Sequence, residues 1–143
     1  MYTLNAGAYV VSEDDPAPLG YTQTSIVCDG GATANVTVVP GQEKICTITN
    51  DDKPASLVII KNVINDNGGT KSAGDFSGTI GGTATYTGGA VWTGAVAPGL
   101  TKAVTGLGTY NVTETADPGY TTTYSADCSG SIALGDTKTC TVT

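Results

Sequence analysis

Gly108-Thr109-Tyr110-Asn111-Val112-Thr113-Glu114 is followed by Pro118-Gly119-Tyr120-Thr121, Cys128 and then Gly135-Asp136-Thr137-Lys138-Thr139-Cys140-Thr141-Val142-Thr143. The same order of landmarks has already appeared once. It runs Gly7-Ala8-Tyr9-Val10-Val11-Ser12-Glu13, Gly20-Tyr21-Thr22, Cys28 and Gly41-Gln42-Glu43-Lys44-Ile45-Cys46-Thr47-Ile48-Thr49. The copies lie 94 to 101 residues apart, a period set by domain size and not by a solenoid unit. About fifty residues of its own domain precede the later copy, and almost nothing precedes the earlier one. The expected organisation is therefore the back half of one domain, residues 1–53, and a nearly complete second domain, residues 54–143. The polar run Asp51-Asp52-Lys53-Pro54 marks the boundary.

Composition points to strands. The 143 residues include 25 Thr and 20 Gly, with Val, Ile and Tyr scattered among them, and no long stretch carries a 3.6-residue apolar recurrence. All 6 basic residues are Lys, there is no His, and the net charge is −7. Phosphate backbones and anionic membrane surfaces call for clustered cations, so nucleic-acid and polybasic membrane binding are excluded. No apolar run reaches the ~18 residues of a spanning helix. The opening Met1-Tyr2-Thr3-Leu4-Asn5-Ala6 has neither the basic nor the apolar region of a signal peptide.

The expected strands cover 2–14, 20–28, 35–39, 44–50 and 56–64, then stretches near 76–80, 83–87 and 90–96, before the second copy of the repeat. Turn signals separate them, among them Glu13-Asp14-Asp15-Pro16, Asp29-Gly30-Gly31, Asn65-Asp66-Asn67-Gly68-Gly69 and Pro98-Gly99. Short strands with turns every 8–12 residues indicate an all-β antiparallel sandwich. Ser56-Leu57-Val58-Ile59-Ile60-Lys61-Asn62-Val63-Ile64 is the most apolar stretch, and its continuity suggests burial on both faces.

The 4 cysteines fall at matching places in the two copies. Three pairings are possible, and the repeat selects Cys28–Cys46 and Cys128–Cys140, each clipping the last two strands of its unit. Zinc fails on spacing, with no C-x-x-C and no His. Disulfides persist outside the reducing cytosol, which places the protein in an extracellular or cell-surface setting. Each bridge contributes ~3 kcal/mol by the loop-closure argument.

Strand alternation puts Tyr110, Val112 and Glu114 on one face with Thr113 opposite, and Tyr9, Val11 and Glu13 likewise. Cys46, Ile48 and Asn50 share a face, as do Leu57, Ile59, Lys61 and Val63. A Glu, an Asn and a Lys thus occupy core-facing positions, where burial raises the pKa of a carboxyl and lowers that of an amine. Such groups are costly unless they are paired or consumed.

At these residues the chain resembles the prealbumin-like (transthyretin-like) domains of bacterial surface proteins, relatives of collagen-adhesin B-type repeats and Gram-positive pilin domains. The segments that carry the resemblance are Leu57–Lys61, Val63–Phe76, Gly108–Glu114 and Cys46–Asn50. It covers 54–143 and, for the back half alone, 1–53. It implies a Greek-key-like sandwich serving as a tandem module of an extracellular fibre, pilus-like filament or adhesin stalk. Because residues 1–53 hold only the back strands of a sandwich, the expected partners are copies of itself or adjacent repeats of the same polypeptide, joined head-to-tail by shared strands. In some members a first-strand Lys attacks a last-strand Asn while a Glu shuttles the proton, forming an isopeptide bond. Here the trio is split. Glu13 and Asn50 lack a first-strand Lys, while Lys61 and Glu114 lack an Asn, which would follow Thr143. The alternative is that disulfide-clipped members dispense with the bond and Lys61 snorkels to the rim.

Other features carry less. Asn35-Val36-Thr37 and Asn111-Val112-Thr113 are N-glycosylation sequons. Asn65, Asp66, Asn67 and Asp75 offer oxygens but lack a full calcium-loop pattern, and a plain turn is the simpler reading, so neither metal nor cofactor is expected. Gly81-Gly82 and Gly88-Gly89 read as hairpin turns. Tyr86 and Trp92 serve either as core or as a sugar-stacking pair, the latter in an extracellular glycan- or matrix-binding module, the alternative function. With no His and no paired-carboxylate signature, an enzyme is not expected.

Overall fold

The Thr- and Val-rich alternation becomes twelve strands and three 3-10 turns in the computed structural model, which describes residues 3–29, 31 and 33–143. Tyr2 and Gly30, included in the expected first strand and the Asp29–Gly31 turn, lie outside the described residues. The chain divides into two compact units, Met1–Lys53 and Pro54–Thr143.

The second unit holds β5 (Ser56–Lys61), β6 (Ser77–Gly82), β7 (Thr85–Tyr86), β8 (Val91–Thr93), β9 (Leu100–Gly106), β10 (Gly108–Glu114), β11 (Ser129–Ile132) and β12 (Thr137–Val142). They form two four-stranded sheets, ordered β11-β10-β6-β8 and β12-β5-β9-β7. Between the sheets lies a core that includes Leu57, Ile59, Ile80, Trp92, Tyr110, Val112, Cys140 and Val142. The face that alternation assigns to the interior is the buried one in β10, with Thr113 exposed. Gly78 permits the closest packing. A Cβ there would come within 1.9 Å of the Thr113 carbonyl oxygen and 2.8 Å of the Trp92 ring. Exposed threonines pair their hydroxyls across strands, Thr79 with Thr113 and Thr85 with Thr105.

Three expectations need correction here. The sheets are antiparallel except at one place, where β12 runs parallel to β5, Cys140 opposite Ile59 and Val142 opposite Lys61. Parallel neighbours need a long crossover, and here the whole domain between Ser56 and Thr137 supplies it. Strand β5 is buried on one face only, since Val58 and Ile60 are half-buried. Strand β9 was not expected at all. Its inward residues Leu100, Lys102 and Val104 include a charge, and its ladder partner is distant β5, with Leu57 opposite Lys102.

The first unit holds β1 (Gly7–Val10), β2 (Tyr21–Cys28), β3 (Asn35–Val38) and β4 (Cys46–Asp52). Among the described residues strand β1 pairs only β3 and β2 pairs only β4, both antiparallel. The β1–β3 register repeats that of β10–β11, with Gly7 opposite Val38 as Gly108 is opposite Ile132. Strand β10 continues through Glu114 because β6 pairs along Val112–Glu114. Strand β1 has no such neighbour among the described residues and stops at Val10, so the long strand expected over 2–14 is reduced to four residues. Among the described residues of this unit only Gly20 and Cys28 are buried.

Candidate functional site

Each unit brings together two of the three groups singled out in the sequence. In the second, Lys61 at the end of β5 reaches Glu114 at the end of β10. Nζ stands 2.8 Å from Oε2, with side chains only 3% and 1% exposed. The contact is an ion pair off the hydrogen-bonding axis, since Oε2 accepts no aligned hydrogen bond, whereas Oε1 accepts one from Thr122 Oγ1 at 2.7 Å. The Lys61 ammonium also lies 4.3 Å from the centre of the Phe76 ring. Lys61 therefore does not snorkel to the rim. Its stem runs inward beside Leu57 and Ile59, and a carboxylate and a ring face receive its charge.

In the first unit, Asn50 Nδ2 donates to Glu13 Oε1 at 2.7 Å, and Glu13 Oε2 is buried with no hydrogen-bond partner. An amine beside a carboxylate and an amide beside a carboxylate are the two halves of one chemistry. A carboxylate can take a proton from an attacking amine and pass it to a departing amide nitrogen. All four residues were singled out in the sequence by strand alternation and by the family resemblance.

The sulfurs of Cys28 and Cys46 are bonded, as are those of Cys128 and Cys140, and there is no free cysteine. Neither bridge joins the last two strands of its unit. Cys28 ends β2 and Cys46 begins β4, while Cys128 closes the 3-10 turn Ala126–Cys128 ahead of β11. The penultimate strands β3 and β11 belong instead to the sheets of β1 and β10, so each bridge is made just before the chain enters them.

Asn35 and Asn111 are both exposed, on β3 and β10. Trp92 is buried, with its indole Nε1 donating to the Thr113 carbonyl at 3.1 Å, and Tyr86 is buried as well. The core reading of this pair holds, and the sugar-stacking reading fails because neither ring face reaches solvent. Asn65, Asp66 and Asn67 are committed to local structure. Tyr120 donates to Asn65 Oδ1 at 2.8 Å, Asn65 Nδ2 donates to the Lys71 carbonyl, and Asn67 Nδ2 donates to Asp66.

Sequence reasoning missed the residues that hold this loop beside Lys61. Lys71 pairs with Asp117, and the Tyr120 ring meets Phe76 edge-on with centroids 5.1 Å apart. The hydrogen bond from Lys71 holds the Asp117 carboxyl below its ordinary range, helped by the Gly119 backbone N–H, and the same bond raises the Lys71 amine. A cleft of about 450 Å³ opens at this end of the unit, bordered by Lys61, Asn65, Asp66, Tyr120 and Thr143. Lys102 was missed too. It is buried, and its ammonium donates to the Gly89 carbonyl at 3.1 Å.

Comparison with known families decides the class. The family described as the prealbumin-like fold domain matches residues 2–48 and 52–143. The chain belongs to the prealbumin-like fold domain family. The two matched stretches meet at the boundary between the compact units, so each unit carries family sequence in its own right. No curated protein and no solved structure matches the chain. Among the described residues no helix is long and apolar enough to cross a membrane.

Proposed function

We propose that this prealbumin-like chain is a structural segment of an extracellular fibre, pilus-like filament or adhesin stalk. In this reading residues 1–53 are the back half of a sandwich, completed by strands from outside that unit, so that repeats join head-to-tail. The observation that carries it is a comparison between equivalent positions. Val142 is 0% exposed under β5 and the opposing sheet, whereas its repeat counterpart Ile48 is 37% exposed. Strand β1 has one neighbour where β10 has two, and among the described residues of 1–53 there is no counterpart of β5 to β9. A half-sandwich of this size buries too little to offset its chain entropy. Its open edges are templates for further strands, and addition that does not close on itself gives open fibres. The disulfides support a setting outside the reducing cytosol, and a module built for packing rather than turnover suits a non-enzymatic role.

The split trio fits the same scheme. A lysine brought to Glu13 and Asn50 would attack the Asn50 side-chain carbon. The C–N bond to Lys forms, the bond to Nδ2 breaks, ammonia leaves, and Glu13 carries the proton from amine to leaving group. Glycosylation at Asn35 or Asn111 would decorate exposed strand positions of such a stalk.

Sedimentation and negative-stain microscopy of residues 1–143 and of 54–143 test the reading. The longer chain should associate with rising concentration, and the shorter one should not. If residues 1–143 remain a monomer at high concentration with 1–53 stably folded, the reading is lost. Intact mass of native material, lower by one ammonia per bond, tests the crosslink separately.

A further inference from the structure

The chain has seven asparagines, and one of them, Asn67, is followed by glycine. An asparagine side-chain carbonyl is an electrophile within reach of the next backbone nitrogen, and attack closes a five-membered imide. A Cβ on the attacking residue crowds that step, and glycine has none. Reaction also needs an unengaged nitrogen, a backbone able to turn, and a side chain that is not held elsewhere.

The structure sorts the seven on these grounds. Asn35, Asn50 and Asn111 lie in β3, β4 and β10, where paired strands fix the backbone, and each precedes Val or Asp. Asn62 precedes Val63, and its N–H donates to the Val142 carbonyl at 2.9 Å. Asn65 is tied at both ends, Oδ1 accepting from Tyr120 at 2.8 Å and Nδ2 donating to the Lys71 carbonyl at 3.0 Å. Asn5 precedes Ala6. Asn67 differs. It is exposed in a turn outside every strand. The Gly68 N–H makes no backbone hydrogen bond among the described residues. Gly68 has φ +86°, and a Cβ there would meet nothing within 4 Å, so the turn has room to rearrange. Asn67 Nδ2 does donate to Asp66 Oδ1 at 2.8 Å, but Asp66 is exposed as well, and water replaces such a bond at little cost.

We propose that Asn67 is a site of spontaneous deamidation, which converts it to aspartate and isoaspartate and acidifies the rim of the cleft beside Lys61. The Gly68 nitrogen gives up its proton to hydroxide and bonds to Asn67 Cγ. The Cγ–Nδ2 bond breaks, and Nδ2 takes a proton from water and leaves as ammonia. Water then opens the imide. Breaking the bond from the Gly68 nitrogen to Cγ gives aspartate. Breaking its bond to the Asn67 main-chain carbonyl carbon gives isoaspartate, with the chain now running through the side chain. Asp66 is the single carboxylate among the described residues that border the cleft, and this reaction sets a second beside it. It also removes the donor that Asn67 offered to Asp66. Like charges at neighbouring positions loosen the turn, while the Tyr120–Asn65 and Lys71–Asp117 ties hold the rest of the loop. The charge of the cleft rim thus changes with the age of the molecule, whether or not the chain builds a fibre.

The test incubates the full folded chain for days at neutral and mildly alkaline pH, with a fresh sample digested in parallel to correct for loss during handling. Trypsin releases Asn62–Lys71 whole, because Lys61 and Lys71 bound it. The fraction of this peptide that gains one mass unit should rise with time, and faster as pH rises. Fragment spectra should place the gain at Asn67, in two chromatographic forms, with Asn62 and Asn65 unchanged. The folded chain should react within about threefold of a free peptide of the same sequence, since an exposed turn opens at almost no free-energy cost. Gly68→Ala should slow the reaction on the order of tenfold by adding the crowding Cβ. Asn67→Gln, which keeps the amide but must close a larger ring, should abolish the gain. A folded chain that keeps Asn67 intact while the free peptide loses it would show that the turn protects the amide. Gain at Asn65 as fast as at Asn67 would show that the loop makes no selection. Either result overturns the proposal. A gain of one mass unit is distinct from the loss of ammonia that marks a crosslink, so each reading can fail without the other.

Discussion

Lys61 Nζ and Glu114 Oε2 meet at 2.8 Å inside the second unit, joining the end of β5 in one sheet to the end of β10 in the other. The pair is therefore a tie across the sandwich in a place where water cannot screen it. Removing one partner leaves the other charge buried, at a cost of about 3–5 kcal/mol, whereas replacing both with apolar residues is often neutral. Lys61→Met and Glu114→Gln should each destabilise strongly, and Lys61→Met/Glu114→Leu should recover most of the loss. Trp92, the single tryptophan and a core residue of this unit, reports its unfolding in urea by fluorescence. Additive losses in the double variant would mean that the pair is not coupled.

Gly78→Ala should be far more damaging than Gly81→Ala, although both glycines lie on β6. At Gly78 the new methyl would strike backbone atoms of Thr113 and Glu114, which a strand inside a four-stranded sheet cannot yield. At Gly81 the nearest atom is 3.8 Å away, an ordinary contact. The expected costs are about 1–3 kcal/mol or more for Gly78→Ala and within about 0.5 kcal/mol for Gly81→Ala. The Trp92 melt measures both. Similar midpoints for the two variants would contradict the close approach.

Acid should loosen the loop beside Lys61 before it unfolds the sandwich. Bonds from Lys71 and the Gly119 N–H depress the Asp117 carboxyl, and the Ser72 backbone N–H and hydroxyl depress that of Asp75. A depressed carboxyl contributes stability that is present above its unfolded value and is lost as pH falls through its folded value, hence below about pH 4. The raised Lys71 amine has the opposite sign. Its contribution is complete below the ordinary lysine range and disappears only as pH rises through the higher folded value. Asp117→Asn should flatten the acid limb of a melting-temperature profile, and added salt should shrink the difference because the pair is partly exposed. An unchanged acid limb would remove Asp117 from the account.

The repeat made much of this arrangement legible. Matching landmarks showed two units, the polar run Asp51–Pro54 marked their boundary, and strand alternation put Glu13 and Asn50 on inward faces and Lys61 on the same face as Leu57 and Ile59. These are consequences of local alternation and of one copy informing the other. What stayed hidden depends on partners remote in sequence. Nothing near Ser56 announces that β12 will lie parallel to it. Nothing near Leu100 offsets the lysine at an inward position of β9, which reads as a break in an apolar row. The expected strand over 2–14 has good alternation along its length, but a strand is only as long as its ladder, and β1 finds four residues of β3. Phe76 and Tyr120 were invisible as a pair because 44 residues separate them.

The Cys28–Cys46 bridge should be reduced before Cys128–Cys140. Cys128 and Cys140 are both buried between the sheets, whereas Cys46 is half-buried at the start of β4. Thiolate attack needs access to sulfur, so exposure sets the order. Stepwise reduction, alkylation and peptide mapping should find Cys28 and Cys46 labelled first. Simultaneous labelling of all four would mean that the two units open together.

Amide exchange should divide the chain at the same boundary. Opening free energies follow the number of buried contacts and ladder neighbours that a segment must lose. Strand β12 lies against β5, with Cys140 and Val142 fully buried, and the Asn62 N–H also donates to the Val142 carbonyl at 2.9 Å. Its counterpart β4 is laddered to β2, and Ile48, Asn50 and Asp52 are exposed along it. Peptides covering 137–142 should therefore exchange slowly at neutral pH, near the limit set by global unfolding of their unit. Peptides covering 46–52 should exchange orders of magnitude faster in dilute solution. The disulfide at Cys46 does not abolish the difference, because it limits separation from β2 without burying the exposed residues. Raising the protein concentration should slow exchange in 46–52 and leave 137–142 unchanged, since the first has an exposed apolar face to cover and the second is already buried. Equal protection of the two segments in dilute solution would show that residues 1–53 are already complete, and the head-to-tail reading would lose its physical basis.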